Sequence, residues 1–219
     1  MPPEIVYTEW EPLPVNQGFS RPLAALLRWW IQRQVTQAQD VQVLLEGAAQ
    51  VWRSGCLPYI QVSGKQIVYR DIHLEQVTLT AEQIRFHLPF LQKKGEPFLE
   101  PLTVQIQAVL TEANINHSLP DLQEILCSYL RDLYPQITTI QKISIAPEGI
   151  TWFIGQGESY LTPIQLISPQ ALTLIAPAAS PQPVRIDLGT DVQIEEFNLH
   201  PGVMHLSGYI IIRPGAPAG

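Results

Sequence analysis

The chain carries two hydrophobic periods, and the places where one replaces the other limit the folds open to it. Apolar residues alternate at Val41, Val43 and Leu45, then over Tyr59 to Val68, Ile72 to Leu79, Ile84 to Leu88 and Val104 to Leu110. Short alternating runs with turn signals between them predict antiparallel strands. Within residues 110–135 the rhythm becomes helical. Leu122, Ile125, Leu126, Tyr129, Leu130 and Leu133 share one stripe, Asp121 and Glu124 form a capping box, and Pro135 follows the end. Alternation resumes at Ile137 and continues towards the C-terminus, broken by a loop at residues 176–183.

A second amphipathic helix is predicted from Ser20 to Gln39. Leu23, Leu26, Leu27, Trp30, Ile31, Val35 and Ala38 fall on one face, and Arg21, Arg28 and Gln32 fall opposite. Ser20 can cap this helix, and Pro22 is tolerated in its first turn. Residues 1–19 mix prolines with isolated aromatics and read as an extended N-terminal arm, and residues 214–219 read as a disordered tail. Residues 20–213 are then a single domain.

A weak internal repeat runs through the strands. Leu74, Val77, Leu79, Ile84 and Phe86 follow the same strand, turn, strand pattern as Ile140, Ile143, Ile145, Ile150 and Trp152, and as Ile194, Phe197, Leu199, Val203 and His205. Each hairpin alone leaves an apolar face uncovered. The expected fold is therefore α+β: an elongated, strongly twisted antiparallel sheet of repeated hairpins packed around two amphipathic helices.

Composition narrows the function. With 219 residues and 46% hydrophobic content the chain can bury a core. Its 20 acidic against 13 basic residues, net charge -7, disfavour a nucleic-acid partner, whose phosphates demand cationic surface. No apolar run reaches the ~18 to 20 residues that span a bilayer, and the first 19 residues carry Glu4, Glu9 and Glu11 where a signal peptide would be apolar. The expectation is a soluble, cytoplasmic protein, with Cys56 and Cys127 as buried thiols.

Catalytic signatures are missing. The sequence has no GxSxG, HExxH or GxxxxGK[ST], and the GxG at Gly155 and Gly157 reads as a tight turn. Of the five histidines, only His200 and His205 come close, on opposing arms of a predicted hairpin, with no further ligand to complete a metal site. Glu195 and Glu196 are adjacent in a strand and face opposite sides. No enzyme activity, cofactor or metal is expected.

Two features stand out from ordinary surface. The helix at residues 20–39 contains Arg21, Arg28 and Arg33, no acid, and Trp29 outside the apolar stripe beside Trp30. A cationic amphipathic helix with Trp suits a membrane interface, while a core helix whose border Trp covers a loop fits the same pattern. In residues 87–102, Phe90, Leu91, Phe98 and Leu99 bracket Lys93 and Lys94, which suits insertion into anionic lipid; a hairpin end folded back on the core is the alternative.

At residues 99–119 the sequence resembles a bacterial family, the LmeA-like phospholipid-binding domains, and is most similar to its cyanobacterial type. The resemblance extends from about Pro22 to Arg213. It rests on Glu100-Pro101, the strand Val104 to Leu110, and Leu110-Thr111-Glu112 followed by Asn116, supported by Leu27-Arg28-Trp29, Ile72 to Leu79 and Ile84-Arg85-Phe86. Ala113-Asn114-Ile115 departs mildly from the family pattern. The resemblance implies a sheet wrapped around a long helix, similar to the tubular lipid-binding proteins, with acyl chains in an apolar seam.

On this reading the protein is a non-enzymatic binder of phospholipid or glycolipid. Leu23, Leu26, Leu27, Trp30 and Ile31 would line the seam, and Arg28, Trp29, Arg33, Phe90, Leu91, Lys93 and Lys94 would meet a membrane surface. The alternative is a protein interaction scaffold with a self-filled core, its partner held through residues 1–19, where Tyr7, Trp10 and Phe19 are candidate anchors.

Overall fold

The computed structural model describes residues 35–47, 54–69, 71–85, 100–175 and 182–213. Four strands come first: β1 (Gln37–Glu46), β2 (Cys56–Tyr69), β3 (Ile72–Arg85) and β4 (Leu102–Thr111). One helix follows, α1 (Glu112–Arg131), then β5 (Ile140–Ala146), β6 (Gly149–Ile154), β7 (Ser159–Thr162), β8 (Ile164–Ser168), β9 (Ala171–Leu174), β10 (Val184–Asp187), β11 (Val192–His200) and β12 (Val203–Ile212). They form a six-stranded sheet of order β1-β2-β3-β4-β12-β11 and two three-stranded sheets, β5-β6-β7 and β10-β9-β8. All pairs are antiparallel.

Alternation gives the large sheet two unlike faces. Register places Leu45, Ile60 and Ala81 in one cross-strand row, and Val43, Val62, Leu79 and Ile106 in the next. Leu45, Leu57, Ile60, Val62, Ala81, Ile84 and Val104 form the first core. The other face carries Ser63, Thr78, Gln107 and Ser207. Leu57 and Ile84 keep the same partnership as the rest of β2 and β3 yet lie at odd spacing from Ile60 and Ala81. A left-handed residue, Gln83 at φ 52, stands between Ala81 and Ile84 and lets both enter one core.

A second core gathers Leu119, Cys127, Leu130, Leu133, Tyr134, Ile137, Ile143, Trp152 and Leu174 from α1 and the two small sheets. Its buried polar atoms are paired, with Trp152 Nε1 donating to Thr162 Oγ1 at 3.0 Å and the Tyr134 hydroxyl at 3.0 Å from the same oxygen. That satisfies groups whose burial would otherwise be costly.

The first turn of α1 joins the two cores. Thr111 caps the helix: its hydroxyl accepts from the Asn114 N–H at 3.2 Å, and the Asn114 side chain accepts from the Thr111 N–H at 3.1 Å. Asn116 then pairs with the edge of β5 as a neighbouring strand would. Its Oδ1 accepts from the Ile143 N–H and its Nδ2 donates to the Ile143 carbonyl, both at 2.7 Å. One turn earlier, Glu112 accepts from the Ile145 N–H at 2.7 Å and the Ser144 hydroxyl at 2.6 Å. The β11–β12 turn completes the knot, Gly202 donating to the Ile145 carbonyl and accepting from the Glu112 N–H, each at 2.9 Å.

Several sequence expectations are corrected here. The strands divide among three sheets and do not make one long sheet, and α1 is the one α-helix among the described residues, so two helices inside a tubular wrap do not describe this molecule. The end of the predicted 20–39 helix is strand: Gln37, Ala38 and Gln39 belong to β1, where the β-rich neighbours Val41, Val43 and Leu45 extend the ladder backwards. The second and third repeats are the hairpins β5–β6 and β11–β12, in separate sheets. The first is not a hairpin, because Ile72–Arg85 is one uninterrupted strand; it lacks the Pro and Gly that turn the other two. Helix α1 starts at Thr111, so Asp121 and Glu124 lie inside it, Pro120 is accommodated within it, and Ile125 is 57% exposed despite its place in the apolar stripe. Cys127 is buried as expected, whereas Cys56 is only half-buried, and both are free thiols. Gly155–Gly157 is a 3₁₀ turn. The arm 1–19 and the tail 214–219 lie outside the described residues.

The knot at α1 sets two expectations. Asn116→Ala removes both partners of the Ile143 peptide and should lower unfolding free energy by about 2 to 4 kcal/mol, read as a urea midpoint shift; Asp121→Ala should change it by less than about 0.5 kcal/mol. The Glu112 carboxyl is held below its ordinary value by the Ser144 hydroxyl and then the Ile145 N–H. A folded-state value below the unfolded one gives stability that is present above about pH 4.3 and lost as pH falls through the folded value. Thermal melts from neutral to acid pH should therefore show Glu112→Gln less stable at pH 7 and with a flatter acid limb than the wild type.

Candidate functional site

Between the two cores lies a stretch of sheet whose residues join neither, with Ala108, Ile194 and Gly208 buried in it and Ile106, Leu206 and Phe197 half-buried. Along β4 the apolar side is Leu102, Val104, Ile106, Ala108 and Leu110; along β12 it is Met204, Leu206, Gly208, Ile210 and Ile212; along β11 it is Val192, Ile194, Phe197 and Leu199. Every side chain on this side of the three strands is apolar. Val104, Ile210 and Ile212 join the first core and Met204 joins the second. Ile106, Leu206 and Phe197 are half-buried and belong to neither.

Local chemistry shapes this strip. A bulge between Ile194 and Glu196 shifts the β11 register, so that both Phe197 and Ile194 still face the apolar side. The bulge also brings the β11 backbone against β12 at Gly208: a Cβ there would meet the Gln193 carbonyl and lie 2.8 Å from Ile194 Cα. Only glycine fits. The bulge also leaves Glu195 and Glu196 both exposed, and no ion pair links either to another described residue.

The strip has defined ends. One is the exposed ion pair of Arg213 with Asp191 at 2.7 Å, just beyond Ile212 and just before Val192. The other is the α1 knot beside Met204 and Leu110. From Met204 to Ile212 the strand runs roughly 27 Å at about 3.4 Å per residue. An extended acyl chain, which spans about half of a ~30 Å hydrocarbon layer, is shorter than that.

Leu23, Leu26, Leu27, Arg28, Trp29, Trp30, Ile31 and Arg33, and Phe90, Leu91, Lys93 and Lys94, all lie outside the described residues. Ile106, in the predicted strand Val104 to Leu110, and Phe197, in the repeat, are not site residues on the sequence reading, and only their place between the cores distinguishes them and Leu206. His200 and His205 do meet, with ring centroids 5.4 Å apart. His73 and His117, far apart in sequence, also meet at 4.2 Å where α1 crosses β3. Among the described residues no group of three His, Cys, Asp or Glu could hold a metal ion, and no helix is long and apolar enough to cross a membrane.

Comparison with curated proteins and with solved structures finds no match. A family model, LmeA-like phospholipid-binding, matches residues 17–208. The chain therefore belongs to the LmeA-like phospholipid-binding family, a class of non-catalytic lipid-binding domains.

Proposed function

We propose that the protein holds the acyl chains of a phospholipid or glycolipid along the apolar strip of β4, β12 and β11. The observation that carries this reading is the half-buried apolar patch made by the cross-strand pair Leu206 and Phe197 and by Ile106 diagonal to it, residues that join neither core. Removing such surface from water contributes ~25 cal/mol per Å², the driving force an acyl chain would supply.

The stripe Leu23, Leu26, Leu27, Trp30 and Ile31 is assigned to the opposite wall of the seam, because its apolar residues need a partner surface of the same kind. Arg28, Trp29, Arg33, Phe90, Leu91, Lys93 and Lys94 are assigned to the membrane contact. Basic residues contribute about 1 kcal/mol each beside an anionic leaflet, and the cytoplasmic leaflet is the anionic one. The protein would then act from the cytoplasmic side as a peripheral protein that carries or presents lipid.

Native mass spectrometry, followed by organic extraction, tests the seam. The wild type should carry a mass released as phospholipid or glycolipid, and Ile106→Glu with Phe197→Glu should reduce the bound fraction at least about tenfold, since a charge in an apolar site is costly unless paired. A bare polypeptide after incubation with mixed vesicles would overturn the reading in favour of a protein interaction scaffold. Liposome flotation tests the surface: Trp29→Ala with Lys93→Ala and Lys94→Ala should lose binding to anionic vesicles, and unchanged binding would remove that assignment.

A further inference from the structure

The side of the large sheet opposite the apolar strip is shaped as well. A shallow cavity of about 240 Å³ is lined there by Gln76, Thr78, Gln107, Glu196, Asn198 and His205, among others. Register arranges these side chains in two parallel rows. Thr78, Gln107, Ser207 and Glu196 are successive cross-strand partners on β3, β4, β12 and β11, and Gln76, Val109, His205 and Asn198 form the adjacent row. Neighbours within a row stand about 4.8 Å apart, the strand spacing.

We propose that this polar face is a binding site for an uncharged, hydroxyl-rich ligand, a saccharide, separate from the apolar strip on the reverse of the same strands. Among the described residues the side chains of Gln76, Thr78, Gln107, Ser207, Glu196 and Asn198 make no hydrogen bond, so their capacity is open to a ligand. Amides, hydroxyls and a carboxylate provide donors and acceptors side by side, which matches a hydroxyl group acting as both. Tyr209 follows Ser207 on the same face, half-buried, and its ring offers a flat surface for the C–H side of a sugar.

Other ligand classes fit less well. The lining contains no Lys or Arg and includes Glu196, so a phosphate or sulfate group meets a carboxylate with no cation in the lining to offset its repulsion. At the cavity β4 and β12 are each paired on both sides, by β3 and β12 and by β4 and β11, so no peptide can add there as a strand. Among the described residues no set of three His, Cys, Asp or Glu could hold a metal ion there. Burial, and then the neighbouring His200, hold His205 below its ordinary value, so its imidazole is neutral at pH 7 and has one donor and one acceptor nitrogen.

A free sugar and the headgroup of a glycolipid share this chemistry, and one experiment with two arms separates them. Saturation-transfer NMR of the full chain with millimolar maltose, cellobiose, lactose and sucrose reads free sugar. Flotation with phosphatidylcholine vesicles, with and without digalactosyl diacylglycerol, reads the headgroup. Saturation of sugar ring protons, or extra flotation that depends on the galactolipid, is expected in at least one arm. Gln107→Ala with Glu196→Ala should weaken it about tenfold or more, as loss of ligand hydrogen bonds does, with an unchanged thermal midpoint because both residues are exposed. Ile106→Glu with Phe197→Glu should leave sugar saturation intact, so failure of this site and failure of the acyl seam are read independently. No signal in either arm, or an equal signal in the Gln107 and Glu196 double variant, overturns the proposal.

Discussion

A strand at the edge of a sheet has outward N–H and C=O groups that must find partners when the edge is covered. In β5 those groups are met by side chains from the start of α1. Asn116 satisfies both peptide groups of Ile143, and Glu112 satisfies the N–H of Ile145. The intervals agree: Glu112 and Asn116 are one helical turn apart, and Ile145 and Ile143 are one strand period apart, so two residues on one helix face reach two residues on one strand edge. Because Gly202 of the β11–β12 turn donates to the Ile145 carbonyl and accepts from the Glu112 N–H, helix, small sheet and large sheet share one anchoring point. Both cores, and the apolar gap between them, take their relative positions from it.

The large sheet divides polar from apolar more cleanly than most. Alternation puts Ile106, Leu206 and Phe197 on one side and Gln107, Ser207 and Glu196 on the other, with one backbone between them. Chemistry of opposite kinds is therefore presented within the thickness of a single sheet. Such an arrangement suits amphiphilic ligands, whose two ends demand unlike surroundings.

Much of the fold was legible in the sequence. Alternation in β1, β2, β4 and the hairpins β5–β6 and β11–β12 marked the strands, because half-buried strands force a period of two. What escaped was set by tertiary pairing. The split into three sheets depends on β12 choosing β4 and not β5 or β10, and nothing local in VMHLSGYIII encodes that choice. The start of α1 was missed because Thr111 and Asn114 form the capping box, where the sequence offers Asp121 and Glu124 at the same spacing. The Thr111, Glu112 and Asn116 motif behind the family resemblance has a structural role: it caps the helix and fastens β5. At the site, the apolar identity of Ile106, Leu206 and Phe197 was readable, but their position between cores was not.

The order of strands in the large sheet bears on how the chain folds as it is made. β4 ends at Thr111, yet its partner β12 begins only at Val203, and everything from α1 to β11 is inserted between them. Pairing over so long a separation must close a large loop before its contacts repay the entropy, and such steps are slow. Synthesis runs from the N-terminus, so β1 to β4 leave the ribosome with β4 as an open edge and its apolar side unfinished. The strip at β4, β12 and β11 comes into being last, when the final strands arrive, and until then the nascent sheet is a sticky intermediate that a chaperone would recognise.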